Sequence, residues 1–333
     1  HVGNIPFHMD SDALPVAVDA MGGDNAPHEV IQGAKFAVAA GIPVLLVGQP
    51  EALSDVGDIP TLFATEVIGM DEDPASSVRK KRDSSLVRSA EAVRRGEAAG
   101  MVSAGNTGAA MASALLKIGR IRGVARPAIA TPIPVPGRSQ PNILLDSGAN
   151  SECNPEWLAQ FAEMGAVYAS DRFSIEVPKV GLLSIGEEAG KGSPLVKETY
   201  ELLTSKEWQE RCSCEFIGNV EGRDLMGPDV DVIVTDGFTG NVALKTVEGT
   251  AKTIVLALLN AFTANKEAEE GARLLAPSLL PLYETLDPES VGGAILLGIK
   301  GVALISHGSS SSKAIFNAIS TAYELSISGH VQH

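Results

Sequence analysis

Short apolar runs along this chain repeatedly break into glycine-bearing polar loops, and apolar positions then return at helical spacing. The pattern is clearest over residues 232–246. Val232, Ile233 and Val234 give way to Thr235-Asp236-Gly237-Phe238-Thr239-Gly240-Asn241, and apolar residues resume at Val242, Leu244 and Val247. That order predicts a buried strand, a tight loop and a helix start. A helix start carries unpaired N–H groups and a partial positive charge, so the loop is a candidate for holding an anion.

The same order recurs five more times. A strand at 16–18 enters Asp19-Ala20-Met21-Gly22-Gly23-Asp24-Asn25-Ala26-Pro27, with Pro27 suited to the first turn of a helix running to about Ala40. A strand at 101–104 enters Gly105-Asn106-Thr107-Gly108 and a helix over 109–118. A strand at 143–145 enters Asp146-Ser147-Gly148-Ala149-Asn150, with a helix after Asn154-Pro155-Glu156. A strand at 180–185 enters the loop 186–194, which contains Glu188 and Lys191. A strand at 302–305 enters Ser306-His307-Gly308-Ser309-Ser310 before a last helix. Further strands are expected at 43–47, 61–64 and 128–135.

Such units imply an α/β fold: a three-layer, mainly parallel sheet with helices on both faces and right-handed crossovers. Ligands bind such sheets at the carboxyl edge, so loops distant in sequence are expected to line one cleft. One domain over 15–328, divisible into two lobes, is expected. Before it, residues 1–14 read as an expression scar and flexible N-terminus, and after it 329–333 read as a tail. A helical excursion near 250–290 departs from the pattern, with an acidic stretch at 266–271 and then Leu274, Leu275, Leu279, Leu280, Leu282 and Tyr283 around Pro277 and Pro281. It could pack on a partner subunit, cap the core or dip into a lipid interface, and packing is the favoured reading.

Composition narrows the class. A 333-residue chain with 44% hydrophobic and 20% charged residues describes an ordinary soluble globular protein. No run reaches the ~18 apolar residues a membrane span needs, and no signal peptide is visible. A net charge of -15 disfavours nucleic acid. Cys153, Cys212 and Cys214 are too few for a disulfide framework and suggest a reducing, cytoplasmic setting. Cys212 and Cys214 are read as thiols rather than metal ligands, having no histidine nearby. One basic segment stands out: an expected helix over 71–96 carrying Arg79, Lys80, Lys81, Arg82, Arg88, Arg94 and Arg95. It is either a solvated face or a docking patch for an acidic partner or phosphate-bearing cofactor.

The loops fail the common nucleotide and nucleophile tests. Residues 19–24 lack G-x-G-x-x-G spacing, and their acidic ends would repel a pyrophosphate. The loop 186–192 is one residue short of a P-loop, and Gly192 stands where a magnesium-binding hydroxyl is needed. G-x-S-x-G and H-E-x-x-H are absent. What remains is Lys191, Asn106, Asn241, His307, several hydroxyls and backbone N–H groups. These hold anions and polarise carbonyls, which suits a reaction whose nucleophile the substrate supplies.

VDAMGGDNAP at 18–27, SAGNTGA at 103–109, DGFTGN with LK and EG at 236–249, and HGSS at 307–310 resemble the signatures of the bacterial phosphate acyltransferase family (PlsX). EDPASSVRKKRDSSL, RPAIA, LLDSGAN and VGLLSIGEE resemble it too, so the likeness covers nearly all of 16–325. The resemblance implies the fold shared by isocitrate/isopropylmalate dehydrogenases and phosphotransacetylases, and a homodimer without cofactor or metal. It implies transfer of a fatty acyl group from acyl-(acyl carrier protein) to inorganic phosphate, for phospholipid synthesis. Peripheral contact with the inner face of the membrane is also implied, as is a membrane glycerol-3-phosphate acyltransferase that uses the product. The family's important lysine and asparagine fall on Lys191 and Asn241. Substrate-binding residues are expected at Asp19, Gly22 and Gly23, at Asn106, Thr107 and Gly108, and at Asp146, Asn150 and Glu188. Others are expected at Asp236, Gly237, Thr239 and Gly240, and at His307, Gly308, Ser309 and Ser310. Two departures are Gly190, where relatives often have a second lysine, and Ser311-Ser312-Lys313 after HGSS.

For this chemistry, helix N-termini at Asn106-Thr107-Gly108 and Ser309-Ser310 are expected to place the phosphate. Asn241 is assigned to the carbonyl oxyanion or the phosphate, and Lys191 to neutralising phosphate or developing charge. Arg79, Lys80, Lys81 and Arg82 are the expected docking surface for an acidic carrier. The rivals are a decarboxylating dehydrogenase, whose aspartate cluster and nucleotide loop are missing, a phosphotransacetylase acting on short acyl-coenzyme A, and a non-enzymatic lipid- or carrier-binding scaffold.

Overall fold

The computed structural model describes residues 13–287, 289 and 292–328. Residues 1–12 of the expected scar and N-terminus at 1–14, and the tail at 329–333, lie outside the described residues. In chain order the strands are β1 (Val16–Asp19), β2 (Val44–Gly48), β3 (Thr61–Phe63), β4 (Gly100–Ser103), β5 (Ala128–Ile133), β6 (Asn142–Leu145), β7 (Lys179–Leu183), β8 (Glu215–Val220), β9 (Val232–Val234), β10 (Ala294–Leu297) and β11 (Val302–Ile305). The helices are α1 (His28–Ala39), α2 (Pro74–Lys80), α3 (Ser85–Arg94), α4 (Thr107–Ser113), α5 (Pro155–Phe173), α6 (Pro194–Thr204), α7 (Lys206–Arg211), α8 (Gly237–Phe262), α9 (Lys266–Leu286) and α10 (Ser312–Ile327).

The chain forms two compact units, one comprising residues up to 127 and from 291 onward, the other residues 128–290. In the first, strands run in the order β3-β2-β1-β4-β11-β10. All are parallel except β10, which pairs antiparallel with β11. Helix α10 packs on α1, β4 and β11, and α3 packs on β1, β2 and β4. In the second, the order is β5-β6-β9-β7-β8, parallel except for β5 against β6. The expected mainly parallel α/β sheet is therefore present, and strands β1, β4, β6, β9 and β11 are buried along their whole length. That is why they read as continuous apolar runs rather than alternating ones.

Side chains set the helix starts. Asp73, Ser84, Asn154, Ser193, Asp236, Asn265 and Ser311 each accept a backbone N–H from the first turn of the helix that follows. Pro74, Pro155 and Pro194 sit where a missing N–H costs nothing.

Several elements differ from the sequence reading. The expected helix over 71–96 is broken, because residues 83–85 bond to Glu66: its N–H goes to the Asp83 carbonyl, and its carbonyl takes the Ser85 N–H. Ser84 then caps a fresh helix. The helix after Gly105 ends at Ser113 and continues as a π-helical turn over Ala114–Ile118. Helix α8 begins at Gly237, not Val242, because the Asp236 carboxylate caps it by accepting the Thr239 N–H. Cys212 and Cys214, read as separate thiols, form a disulfide whose Cα atoms are 5.4 Å apart, within ordinary bridging reach. Among the described residues no group of side chains could hold a metal ion, and no helix is long and apolar enough to cross a membrane.

The stretch near 250–290 is helical, as expected, and forms α8 and α9, which pack on each other. It does not cap the core: Leu274 is 73% exposed and Leu280 58%. Residues 288, 290 and 291 of this region, and the side chain of Leu282, lie outside the described residues.

Candidate active site

In the first unit the loops after β1, β4 and β11 are tied together by backbone and buried polar groups. Asp19 ends β1 fully buried, where its carboxylate accepts the Ser103 hydroxyl at 2.7 Å and the Met21 N–H at 3.2 Å. Burial pushes its pKa above the ordinary aspartate value despite these donors. Gly22 lies so close to β4's loop that a Cβ there would stand 2.7 Å from the Gly105 nitrogen. Gly23 adopts φ +114° and packs beside Gly308, whose carbonyl accepts the Asp24 N–H at 2.8 Å. Asp19, Gly22, Gly23 and Gly308 are thus joints that tie these loops together.

Asn106 has the same character. Its Oδ1 caps α4 by accepting the Ala109 N–H at 3.0 Å, and its amide donates to the Met70 and Glu72 carbonyls at 3.0 and 3.1 Å. Thr107 is exposed and Gly108 is packed against Pro74. Ser309 and Ser310 do not begin a helix. The helix starts at Ser312, and its first N–H is taken by the Glu29 carboxylate at 2.7 Å. The Ser312 N–H and hydroxyl hold Glu29 below the usual carboxylate range and leave this helix end occupied by a resident anion, so the expectation that it places phosphate is corrected. His307 is exposed, and its Nδ1 accepts the Ser309 N–H at 3.2 Å while lying 2.8 Å from the Ser309 hydroxyl. An Nδ1 that accepts leaves the proton of the neutral ring on Nε2.

In the second unit the loop after β6 is wound around one carboxylate. Asp146 is buried and accepts the N–H groups of Ile129, Gly148, Ala149 and Asn150 at 2.7–3.1 Å, together with the Asn150 side-chain amide at 2.9 Å. Burial still pushes its pKa above the ordinary value. This wound loop receives the start of α8. The Asn150 carbonyl accepts the Gly237 N–H at 2.7 Å, and a Cβ on Gly237 would meet the Asn150 backbone. A Cβ on Gly240 would overlap the Asp146 carbonyl. Only glycine permits so close an approach at these two positions. Farther along, Ala243, Leu244 and Val247 pack against a core of Ile133, Leu144, Leu183, Val220, Leu225, Val230 and Ile233. Spacing of i, i+3, i+4 and i+7 from Gly240 puts these contacts on one helix face.

Two corrections follow for α8. The residues Gly237, Thr239, Gly240 and Asn241 belong to its first turns rather than to a loop. Its N-terminal N–H groups are largely committed, Gly237 to Asn150 and Thr239 to the Asp236 carboxylate, with the Thr239 hydroxyl donating to the same carboxylate at 2.8 Å. The anion-holding capacity inferred from the loop is therefore reduced. Asn241 itself is exposed, with its amide nitrogen 2.9 Å from where a Cβ on Gly148 would lie. Gly148, missed by the sequence reading, was marked only by standing between Asp146 and Asn150. Lys191 is exposed on the loop after β7, and neither Lys191 nor Asn241 makes a side-chain hydrogen bond or ion pair among the described residues. Glu188 is exposed beside Lys191.

The basic segment is less free than its composition suggests. Lys81 binds the Glu72 carboxylate and donates to the Val67 carbonyl at 2.8 Å. Hydrogen bonds from Lys81, Gly69 and Ser77 hold Glu72 down to about 2. Arg88 pairs with Asp83 at 2.6 Å and Arg95 with Glu91 at 3.9 Å. Arg79, Lys80 and Arg82 are exposed, and of the four expected docking residues Lys81 is the one removed.

The fold and its loops define an α/β protein of the phosphotransacetylase architecture. The EutD phosphotransacetylase from Staphylococcus aureus matches it with a TM-score of 0.62 at 17% identity, covering 96% of each chain. The family model described as "Fatty acid synthesis protein" matches residues 14–333. The phosphate acyltransferase of Elusimicrobium minutum is 48% identical over 96% of this chain and 94% of its own. That of Desulfitobacterium hafniense is 46% identical over 96% of each. This chain belongs to the phosphate acyltransferase family, and it is an acyltransferase.

Proposed function

We propose that this protein transfers a fatty acyl group from acyl-(acyl carrier protein) to inorganic phosphate, releasing acyl phosphate and free carrier protein for phospholipid synthesis. The observation that carries the reading at residue level is the contrast around α8. Asp146 and Asp236 accept backbone N–H groups and Asn150 donates its side-chain amide to Asp146, whereas Lys191 and Asn241 stand exposed and without side-chain partners among the described residues. These two supply the cation and the amide donor for the substrate. A phosphate oxygen attacks the thioester carbon, the new C–O bond forms, and the C–S bond breaks. Phosphate is already anionic at pH 7, so it needs placement rather than a base. Lys191 neutralises it, and the Asn241 amide donates to the carbonyl oxygen or to phosphate as charge develops. The thiolate, conjugate to a thiol comparable to Cys with a pKa of ~8.5, leaves without strong acid and takes its proton from water.

Arg79, Lys80 and Arg82 supply the local positive surface by which an acidic protein of net charge -15 can receive an acidic carrier. The exposed apolar residues of α8 and α9, such as Leu256, Leu259, Leu274 and Leu280, fit the homodimer and the peripheral contact with the inner face of the membrane that this reading includes. The membrane glycerol-3-phosphate acyltransferase that uses acyl phosphate is the consumer of the product. The test is thiol release from acyl carrier thioesters of graded chain length in the presence of phosphate, with short acyl-coenzyme A in parallel. Lys191→Ala and Asn241→Ala are each expected to lower turnover on the order of a hundredfold while the fold is kept. Near-wild-type turnover in either would sink the residue assignment, and preference for short acyl-coenzyme A would sink the substrate assignment.

A further inference from the structure

Lys191 rides on a loop that offers few means of fixing it. Gly190 has nothing near its Cα on the side-chain side, and Gly192 adopts φ +104°. One buried side chain reaches up to this loop. Asn219 lies in β8, opposite Leu182 of β7, and is only 6% exposed. Its Nδ2 donates to the Glu188 carbonyl at 2.9 Å, and the Lys191 backbone N–H donates to that same carbonyl at 2.9 Å. The carbonyl therefore closes the turn from Glu188 to Lys191 and anchors it to the sheet in one place. The amide orientation is forced, since the flipped form would set oxygen against oxygen. On the far side, a Cβ on Gly186 would stand 3.0 Å from the Lys191 Cγ, so the lysine stem lies directly over that glycine. No other described side chain donates to the backbone between Gly186 and Gly192.

We propose that Asn219 is a positioning residue for Lys191: through the Glu188 carbonyl it fixes the turn that carries the lysine. This rests on the catalytic assignment of Lys191 above. Asn219 touches neither the lysine amine nor any reacting atom, and its effect passes through the turn alone. A lysine on a loosened turn samples many positions, so placement of phosphate is lost before binding of the acyl donor is.

The test uses Asn219→Asp, which keeps the volume and removes the donor, and Asn219→Ser, which is too short to reach. Each is made in the wild-type chain and in Lys191→Ala. In the wild-type chain each variant is expected to lower turnover roughly tenfold and to raise the Michaelis constant for phosphate, as loss of a buried hydrogen bond would, with that for the acyl carrier unchanged. In the Lys191→Ala background the same substitutions are expected to change turnover less than about twofold, because the group they position is gone. Limited trypsin digestion followed by mass spectrometry gives a readout independent of activity. Cleavage after Lys191 should rise relative to the other sites in both variants. Equal losses in the two backgrounds, or cleavage that rises uniformly along the chain, would overturn the proposal. Failure of Lys191→Ala by itself to reduce turnover would instead overturn the catalytic assignment, leaving the cleavage result to judge the turn.

Discussion

Replacing Gly148 with alanine adds one methyl group beside the amide that the reaction is proposed to use. The new Cβ would lie 2.9 Å from the Asn241 nitrogen, against an ordinary contact of about 3.5 Å, so the amide must retreat by roughly 0.6 Å. A misplacement of about 1 Å is worth on the order of a hundredfold in rate. Turnover is accordingly expected to fall about tenfold, near 1.4 kcal/mol of barrier, and less than for Asn241→Ala. Gly148 also has φ +144°, where a side chain is strained by roughly 1–3 kcal/mol, so the melting temperature should drop as well. The two effects separate by assay. Thermal unfolding reports the strain, while initial rates of thiol release well below the transition report the amide. The Michaelis constant for the acyl carrier should stay within about twofold, since uniform binding is untouched. A lower melting temperature with unchanged turnover would show that Gly148 serves the backbone alone and would refute the idea that its missing side chain makes room for Asn241.

Other expectations follow from the same groups. Asp236→Ala removes the cap of α8 and should cost about 1 kcal/mol of stability in denaturant titration, with turnover reduced because Asn241 sits in the turns that loosen. Reversing Arg79, Lys80 and Arg82 to glutamate should raise the Michaelis constant for the acyl carrier at low salt and leave that for phosphate alone. Lys81→Ala should leave both unchanged, since Lys81 is engaged with Glu72 and Val67. The folded-state pKa of Glu72 lies at about 2, below its unfolded value. Its contribution to stability is therefore present above about pH 4.3, and is lost as pH falls toward 2. Glu72→Gln should flatten that part of the acid limb, and an identical limb in pH-dependent unfolding would count against the pairing.

Much of the fold could be read from the residues because β1, β4, β6, β9 and β11 are buried along their length and so appear as unbroken apolar runs. Their loops were legible through their glycines. What could not be read was the direction in which each polar residue acts. Asp19, Asp146 and Asn106 look like ligand groups in sequence, yet each turns inward to neighbouring backbone or buried side chains. The break between α2 and α3 depends on pairing with Glu66, nearly twenty residues upstream, which no local pattern records. The start of α8 was placed too late because two glycines count against a helix on propensity alone. Here tertiary contact with the Asp146 loop outweighs that cost. Asn219 went unnoticed for a related reason: a single asparagine inside a strand carries no periodic signal.

The resident carboxylates at two helix ends have a consequence for how the protein can change over evolutionary time. Asp236 and Glu29 each bring a full negative charge to a helix end that carries about half a positive one. Free anions therefore meet no bonus at those ends. Under the proposed assignment, the charge that receives phosphate is one exposed lysine on a short loop rather than the positive ends of these two helices. A cradle of backbone N–H groups can be retuned only by moving backbone. A lysine can be weakened, strengthened or given a neighbour by a single codon change, as at Gly190 beside it, without disturbing a single strand.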